Sequence, residues 1–302
     1  MKDTIAIIGA TGFLGQGLKK YLNQVGYEVL SLSRKGEIQL DITNKELFSK
    51  LEIKPTIVIN CASMLPGGDF WDEKHLRTIF ETNFWGSYNL ANWIKDTPSI
   101  EYVLNLSTLA VVNKPWPISL DESVSTYPYS SHQGYCISKL NQELVFNTLS
   151  LSTNVKVCNA RLSALFGEEM EWNGVMSYFI DKAIHKEPLD ITNGDLVSAD
   201  FLHRTLACKM IEKLIINRAE GIINLASGKE VFLKELAFDI YTYLDVDKSL
   251  ITNNNLSNIK ENRSVINIEK IKKYFSEDED VILDYKQGLF STIEYRKKMI
   301  LD

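Results

Sequence analysis

Two side chains with matched chemistry stand four residues apart in Tyr135-Cys-Ile-Ser-Lys139. On a helix that spacing puts the phenol and the ammonium on one face. An ammonium held there lowers the tyrosine pKa, so that the phenol can exchange a proton with a carbonyl or an alcohol near neutral pH. The spacing alone is weak evidence, because a chain with 13 tyrosines is expected to carry such a pair by chance, and a second one occurs at Tyr178 and Lys182. Position separates them. Tyr135 opens the helix after the apolar strand Tyr102 to Ser107, whereas Tyr178 lies in a less regular part of the chain and reads as a surface pair. That strand closes on Asn105-Leu-Ser107-Thr108, at the edge where open α/β sheets place their sites, so the Thr108 hydroxyl can donate to a reacting oxygen.

The segment Gly9-Ala-Thr11-Gly12-Phe13-Leu14-Gly15 follows an apolar strand and opens an amphipathic helix. In that setting the glycines allow a tight turn, close approach of backbone to a pyrophosphate, and close packing of helix on strand. The helix N-terminus adds N–H groups for phosphates. The expected ligand is a dinucleotide. The next strand ends Leu32-Ser33-Arg34-Lys35, with no carboxylate for a ribose 2′-hydroxyl and two cations for a 2′-phosphate. Ser33 and Arg34 therefore point to NADP in preference to NAD. Asp41 and Ile42, after another short apolar step, are candidates to bond the adenine amino group and to cover its ring.

These residues need a sheet to hold them. Apolar runs at Thr4 to Ile8, Glu28 to Leu32, Thr56 to Asn60, Tyr102 to Ser107 and Val155 to Arg161 read as strands covered on both faces. Stretches at Leu14 to Val25, Lys45 to Leu51, Leu76 to Asp96 and Tyr135 to Leu149 read as the crossover helices of a parallel sheet. After about Phe166 the alternation loosens into helices at Val175 to His185, Thr205 to Asn217 and Leu233 to Leu244. The expected fold is α/β: a Rossmann-type doubly wound parallel sheet over residues 1–166, carrying the dinucleotide and catalytic residues. A smaller substrate-binding lobe follows over residues 167–302, with some strands and helices interleaved.

Composition narrows the classes of function. The 302 residues, 45% hydrophobic and 24% charged, suffice for a substantial core. A net charge of −6 without a basic block argues against a nucleic-acid partner. No apolar run reaches the roughly 18 residues a membrane span needs, so a cytoplasmic location is expected. Cys61, Cys136, Cys158 and Cys208 lie far apart with no histidine at ligand spacing. They read as buried, reduced thiols, and no metal is expected. Neither GxSxG nor HExxH occurs. Trp85 and Trp93, on one expected helix, read as packing or subunit-contact residues, while Trp116 has a claim to a pocket wall.

The motifs fall in a familiar order: GATGFLG at 9–15, IVINCAS at 57–63, TNFWGSYNL at 82–90, LSTLAVV at 106–112 and YCISK at 135–139. RLSALFG at 161–167, ADFLH at 199–203 and GIINLASGKEVFLKELA at 221–237 follow. In this the chain resembles the extended short-chain dehydrogenase/reductases, a family of nucleotide-sugar epimerases, dehydratases and ketoreductases. The resemblance implies a catalytic trio of Thr108, Tyr135 and Lys139, with Lys139 also holding the nicotinamide ribose. It implies that Cys61, Ala62 and Ser63 line the cofactor, that Asn83 braces the site, and that Leu162 and Ser163 flank the nicotinamide.

Departures from the family pattern refine these expectations. Leu109 and Ala110 stand where dehydratases place an acidic pair, and Ala110 where epimerase-reductases place a cysteine. Ala164 and Ala199 stand where many members hold the diphosphate with Asn and Arg, which makes Arg204 and Arg263 candidate replacements. Arg161-Leu-Ser163 and Ser107-Thr108 are closest in style to the dTDP-4-dehydrorhamnose reductases. The expected activity is NAD(P)-dependent hydride transfer at one carbonyl or alcohol carbon, as in 4-keto reduction of a nucleotide sugar, by a homodimer. The alternatives are a 4-epimerase that retains its NAD(P) and a non-catalytic NADP-sensing regulatory protein.

Overall fold

Isoleucine and valine, stiff at χ1 and favoured on pleated surfaces, fill the strands of the largest sheet. The computed structural model describes residues 3–67, 70–127, 132–256, 261–276 and 285–301. The chain runs β1 (Thr4–Ile8), α1 (Phe13–Gln24), β2 (Glu28–Ser33), β3 (Ile38–Gln39), β4 (Ile57–Asn60), α2 (Glu73–Phe80), α3 (Ser87–Lys95), β5 (Tyr102–Thr108), α4 (Gln133–Ser152) and β6 (Lys156–Leu162). It continues with β7 (Ala164–Phe166), α5 (Val175–Ile184), β8 (Leu189–Thr192), β9 (Ser198–His203), α6 (Arg204–Ile216), β10 (Gly221–Leu225), β11 (Glu230–Phe232), α7 (Leu233–Tyr243), β12 (Ile251–Asn254), α8 (Glu269–Lys272) and α9 (Tyr285–Leu301).

Two compact units share the chain. The first comprises residues 1–113, 122–162 and 208–224, the second residues 114–121, 163–207 and 225–302. The first contains a seven-stranded sheet in the order β10-β6-β5-β4-β1-β2-β3, and the strands from β3 to β6 pair in parallel. This is the doubly wound Rossmann arrangement, whose strand order reverses between β1 and β4. Ile5, Ile7, Ile57, Val58 and Ile59 are fully buried, as expected of strands covered on both faces. The segment 208–224 returns to this unit because α6 and β10 close the sheet beyond β6; there the Tyr102 hydroxyl donates to Ala219 O at 2.9 Å.

Two expected helices differ in detail. Lys45–Lys50 is a tighter 3₁₀ turn. The long helix expected over Leu76 to Asp96 is α2 and α3, joined by a wide π turn at Glu81–Gly86. Gly86 lies so close to Ile42 that a Cβ there would stand 2.6 Å from its side chain, and the widened turn carries Asn83 to full burial. Such bulges recur at functional sites.

In the second unit β11, β9 and β7 form one sheet, and β12 pairs with β8. Its core gathers Phe166, Phe179, Ile180, Leu236, Ile240 and Leu289 from β7, α5, α7 and α9. Tyr178 is half exposed, and Lys182 pairs with Glu187 at 2.6 Å. The second Tyr-xxx-Lys is thus a surface pair.

A polar ladder crosses the apolar sheet of the first unit. Asn60, Asn105 and Asn159 are direct register partners on β4, β5 and β6. Asn60 Nδ2 donates to Asn105 Oδ1 at 3.0 Å, Asn105 Nδ2 to Asn159 Oδ1 at 2.8 Å, and Asn159 Nδ2 to Asn147 Oδ1 on α4 at 2.8 Å. Replacing Asn105 with Leu orphans a donor on Asn60 and an acceptor on Asn159. The expected loss is roughly 2–4 kcal/mol of unfolding free energy. Chemical denaturation giving a loss under about 1 kcal/mol would show that the ladder does not brace the sheet.

Candidate active site

The turn after β1 is shaped by the chain leaving β4. Gly9 has φ +80°, and a Cβ on it would stand 2.8 Å from Ala62 N. Only glycine fits that crossing. A Cβ on Gly15 would stand 2.3 Å from Gly9 O, so α1 can lie on the turn only if Gly15 has no side chain. Gly12 is different. A Cβ there meets only Gly9 O, at 3.3 Å, while Gly12 caps α1 without offering a side-chain acceptor to the first-turn N–H groups. The protein itself does not require Gly12 to be bare; a phosphate approaching that helix end would. Leu14 is buried beneath the turn, and Thr11 donates to Ser33 Oγ at 3.1 Å. The residues present therefore fit a dinucleotide.

At the end of β2, Ser33 is buried and Arg34 exposed. Asp41 Oδ1 accepts from the Thr43 backbone N–H at 3.0 Å and from its hydroxyl at 2.8 Å. The Ile42 side chain is packed in the core against Gly86, and its carbonyl accepts from Asn89 Nδ2 at 3.0 Å. Cys61 N donates to Ile8 O at 2.9 Å, and Ala62 N to Asn60 Oδ1 at 3.3 Å. The loop that follows is pinned by Asn83: its Oδ1 accepts from Met64 N at 2.7 Å, and its Nδ2 donates to Met64 O at 3.0 Å and to Ser138 Oγ on α4 at 2.9 Å.

Thr108, Ser63 and Tyr135 meet: the two hydroxyls lie close enough to the phenol to act on its ionisation. Burial pushes the Tyr135 phenol up to about 12, Cys136 adds to the rise, and the Thr108 and Ser63 hydroxyls act against it. The expectation that Lys139 lowers this pKa is corrected. The Lys139 ammonium is turned elsewhere, donating to Leu106 O at 2.6 Å and to Gln142 Oε1 at 2.5 Å. It is nearly inaccessible, and burial brings it down to about 8 against the pull of Glu143. The Cys61 thiol is itself pushed up by burial, so it stays neutral. Thr108 also caps the next turn, accepting from Ala110 N at 3.2 Å, and Leu109 is buried.

Glu143, one turn beyond Lys139, was not singled out in the sequence, nor was its partner Arg161 as a structural ion. Their buried fork is bidentate, Nε to Oε1 at 2.9 Å and Nη2 to Oε2 at 2.8 Å, and Ser107 Oγ donates to Glu143 Oε1 at 2.5 Å. A shallow cleft lined by Pro66, Phe70, His75, Leu76 and His132 opens beside Tyr135. Leu162, at the end of β6, is the register partner of Thr108.

In the second unit, Ser163 Oγ donates to Asp200 Oδ1 at 2.9 Å. Both candidate replacements for the missing diphosphate ligands are engaged there: Arg204 with Glu169 at 2.9 Å, and Arg263 with Glu230 through both arms of its fork. Lys114 lies over the Trp116 ring, 4.2 Å from its centroid. Among the described residues no cluster could hold a metal ion, and no helix is long and apolar enough to cross a membrane.

The glycines yield a paired prediction. Gly12→Ala should leave unfolding free energy within about 1 kcal/mol of wild type yet weaken NADH and NADPH at least tenfold. Gly9→Ala should cost roughly 2 kcal/mol or more in stability. Calorimetry and fluorescence titration read the two effects, and a Gly12→Ala protein with unchanged dinucleotide affinity would remove the phosphate from this turn.

Residues 5–226 match the model of the NAD dependent epimerase/dehydratase family. Among curated proteins the chain is similar to GDP-L-fucose synthase of Dictyostelium discoideum, 24% identical over 198 residues. That match covers 64% of this chain and 61% of the relative, less than two thirds of its length. Among solved structures it is similar to dTDP-glucose 4,6-dehydratase of Bacillus anthracis str. Ames in complex with NAD, with TM-score 0.80, 20% identity and coverage of 98% of this chain and 97% of that one. It is also similar to UDP-glucose 4-epimerase of Thermotoga maritima with UDP-glucose, with TM-score 0.81, 17% identity and coverage of 98% and 99%. At these identities the structural likeness speaks to the fold.

Proposed function

The chain belongs to the NAD dependent epimerase/dehydratase family, and from that premise we propose that it moves hydride at a single carbonyl or alcohol carbon of a nucleotide sugar, as an NADP-preferring 4-keto reductase. The observation that carries the reading is Tyr135 beside Thr108, the latter followed by neither carboxylate nor thiol, and a protonated phenol suits the reducing direction as its phenolate suits the reverse. With its pKa pushed up to about 12, Tyr135 is ionised to only about one part in 10⁵ at pH 7, the state of a proton donor.

The bound nicotinamide supplies the hydride. Tyr135 gives its proton to the carbonyl oxygen as negative charge develops there. The Thr108 and Ser63 hydroxyls, already beside the phenol, then stabilise the resulting phenolate. Leu109 and Ala110 offer neither carboxylate nor thiol beside Thr108, so proton abstraction from a neighbouring carbon has no base there. The family premise and the names of the similar proteins support a nucleotide sugar as substrate class. A 4-epimerase is the second reading, because the same trio suffices when one carbon is oxidised and reduced again.

Purified protein assayed against a panel of 4-keto nucleotide sugars should consume NADPH stoichiometrically, with Tyr135→Phe slower by 10² or more while dinucleotide binding persists. Turnover that needs no added cofactor, with nucleotide retained through purification, would replace the reductase by the epimerase. Loss of activity in Tyr178→Phe with none in Tyr135→Phe would relocate the site altogether.

Cofactor preference rests on the Ser33-Arg34 end of β2. Arg34→Ala should weaken NADPH by roughly 1.5–3 kcal/mol, the worth of a charge-assisted contact, and leave NADH nearly unchanged. Equal losses for the two in parallel titrations would mean that Arg34 reads no 2′-phosphate.

A further inference from the structure

Gln142 lies three residues beyond Lys139 on α4 and is completely buried. Its amide is bonded at both ends. Oε1 accepts from Lys139 Nζ at 2.5 Å, while Nε2 donates to Ser87 Oγ at 2.8 Å and to the main-chain oxygen of Asn83 at 3.3 Å. Turned over, the amide would aim N–H groups at an ammonium and its oxygen at a carbonyl, so the environment permits one orientation only. The wide turn at Glu81–Gly86 is what brings Asn83 and Ser87 within its reach. Ser87 is itself buried at the start of α3, so the anchor is as rigid as the helix that carries it.

An ammonium has three N–H groups. Leu106 O takes one and Gln142 takes a second, which fixes the direction of the third. Resting on the reading of Lys139 as a member of the reacting group, we propose that Gln142 is a positioning residue: its locked carbonyl oxygen holds Lys139 as an ammonium and aims the remaining N–H at bound ligand. The ion's other neighbours are Glu143 on its own helix, itself paired with Arg161 of β6, the neutral thiol of Cys61 after β4, and Tyr135 one turn earlier. Burial brings Lys139 down to about 8, close enough to physiological pH for one acceptor to decide its charge.

The test follows the titration of Lys139 itself in the full-length chain, by NMR of ¹³Cε-labelled lysines with the resonance assigned through Lys139→Arg. No substrate is present, so a wrong sugar or a wrong reaction direction leaves the outcome intact. Gln142→Leu should lower the midpoint by about one pH unit or more, a tenfold loss of ammonium stability, and Gln142→Glu should raise it above wild type by a similar amount. A residue that only fills space would give neither opposite shift. Should Gln142→Leu fail to fold, Ser87→Ala, which frees the amide but keeps it, should move the midpoint downward while Gln142→Glu still moves it up. Midpoints within about 0.3 unit of wild type in the folded variants would overturn the proposal.

Discussion

A positive charge buried at the end of an apolar sheet is the constraint around which the first unit is organised. An isolated ammonium costs several kcal/mol in such a place unless every N–H it can spare finds an acceptor. Lys139 meets that demand with the Leu106 carbonyl and the Gln142 amide, and the Glu143 carboxylate attracts it through space. Glu143 cannot serve Lys139 alone, because Arg161 and Ser107 also bond to it. Two buried cations thus share one buried anion. The surplus positive charge is that of Lys139, directed at the Leu106 carbonyl and the Gln142 amide. The register of β5 with β6 sets this sharing, since Ser107 and Arg161 are direct partners.

The asparagine ladder explains how three separate strands deliver their ends to one level. Asn60, Asn105 and Asn159 sit one to three residues before Cys61 to Ser63, before Thr108 and before Leu162. A one-residue slip in any strand would turn its asparagine into an apolar layer, with the cost of an unpaired amide. The ladder therefore fixes register where each strand stops being core and begins to line the site. On the far side of the sheet's reversal Gly9 has the same duty: its missing side chain lets the chain leaving β4 cross the turn leaving β1.

Much of this was legible in the sequence because it follows from short-range rules. The five strands first recognised, the glycine turn and the placement of Tyr135 on a helix rest on apolar runs, on spacing and on order along the chain, and each recurs in the structure within a residue or two. What escaped depends on contacts distant in sequence. Nothing in Ser138-Lys139-Leu140-Asn141-Gln142 says that a glutamine will face an ammonium, because its other partners come from Asn83 and Ser87. The break between α2 and α3 escaped because the hydrophobic pattern runs through it, whereas the close approach of Ile42 to Gly86 joins residues far apart in sequence. The strands β7 to β12 escaped because they lie in an irregular stretch where short apolar runs cannot be told from loop or helix by pattern alone. Three asparagines in otherwise apolar strands were a signal that could have been read as a ladder.

The protonation of Tyr135 bears on how such a group works. A tyrosine and a lysine one helical turn apart invite the account that the ammonium ionises the phenol. Here the two side chains are fixed by different partners, and the groups that favour the phenolate are the Thr108 and Ser63 hydroxyls. Burial outweighs them in the resting chain, so the proton stays on the phenol. When charge passes to that oxygen during proton donation, the two hydroxyls are already in place. The arrangement thus stores its stabilisation for the moment of transfer, and an amide three residues beyond Lys139, rather than the phenol, governs how the lysine is held.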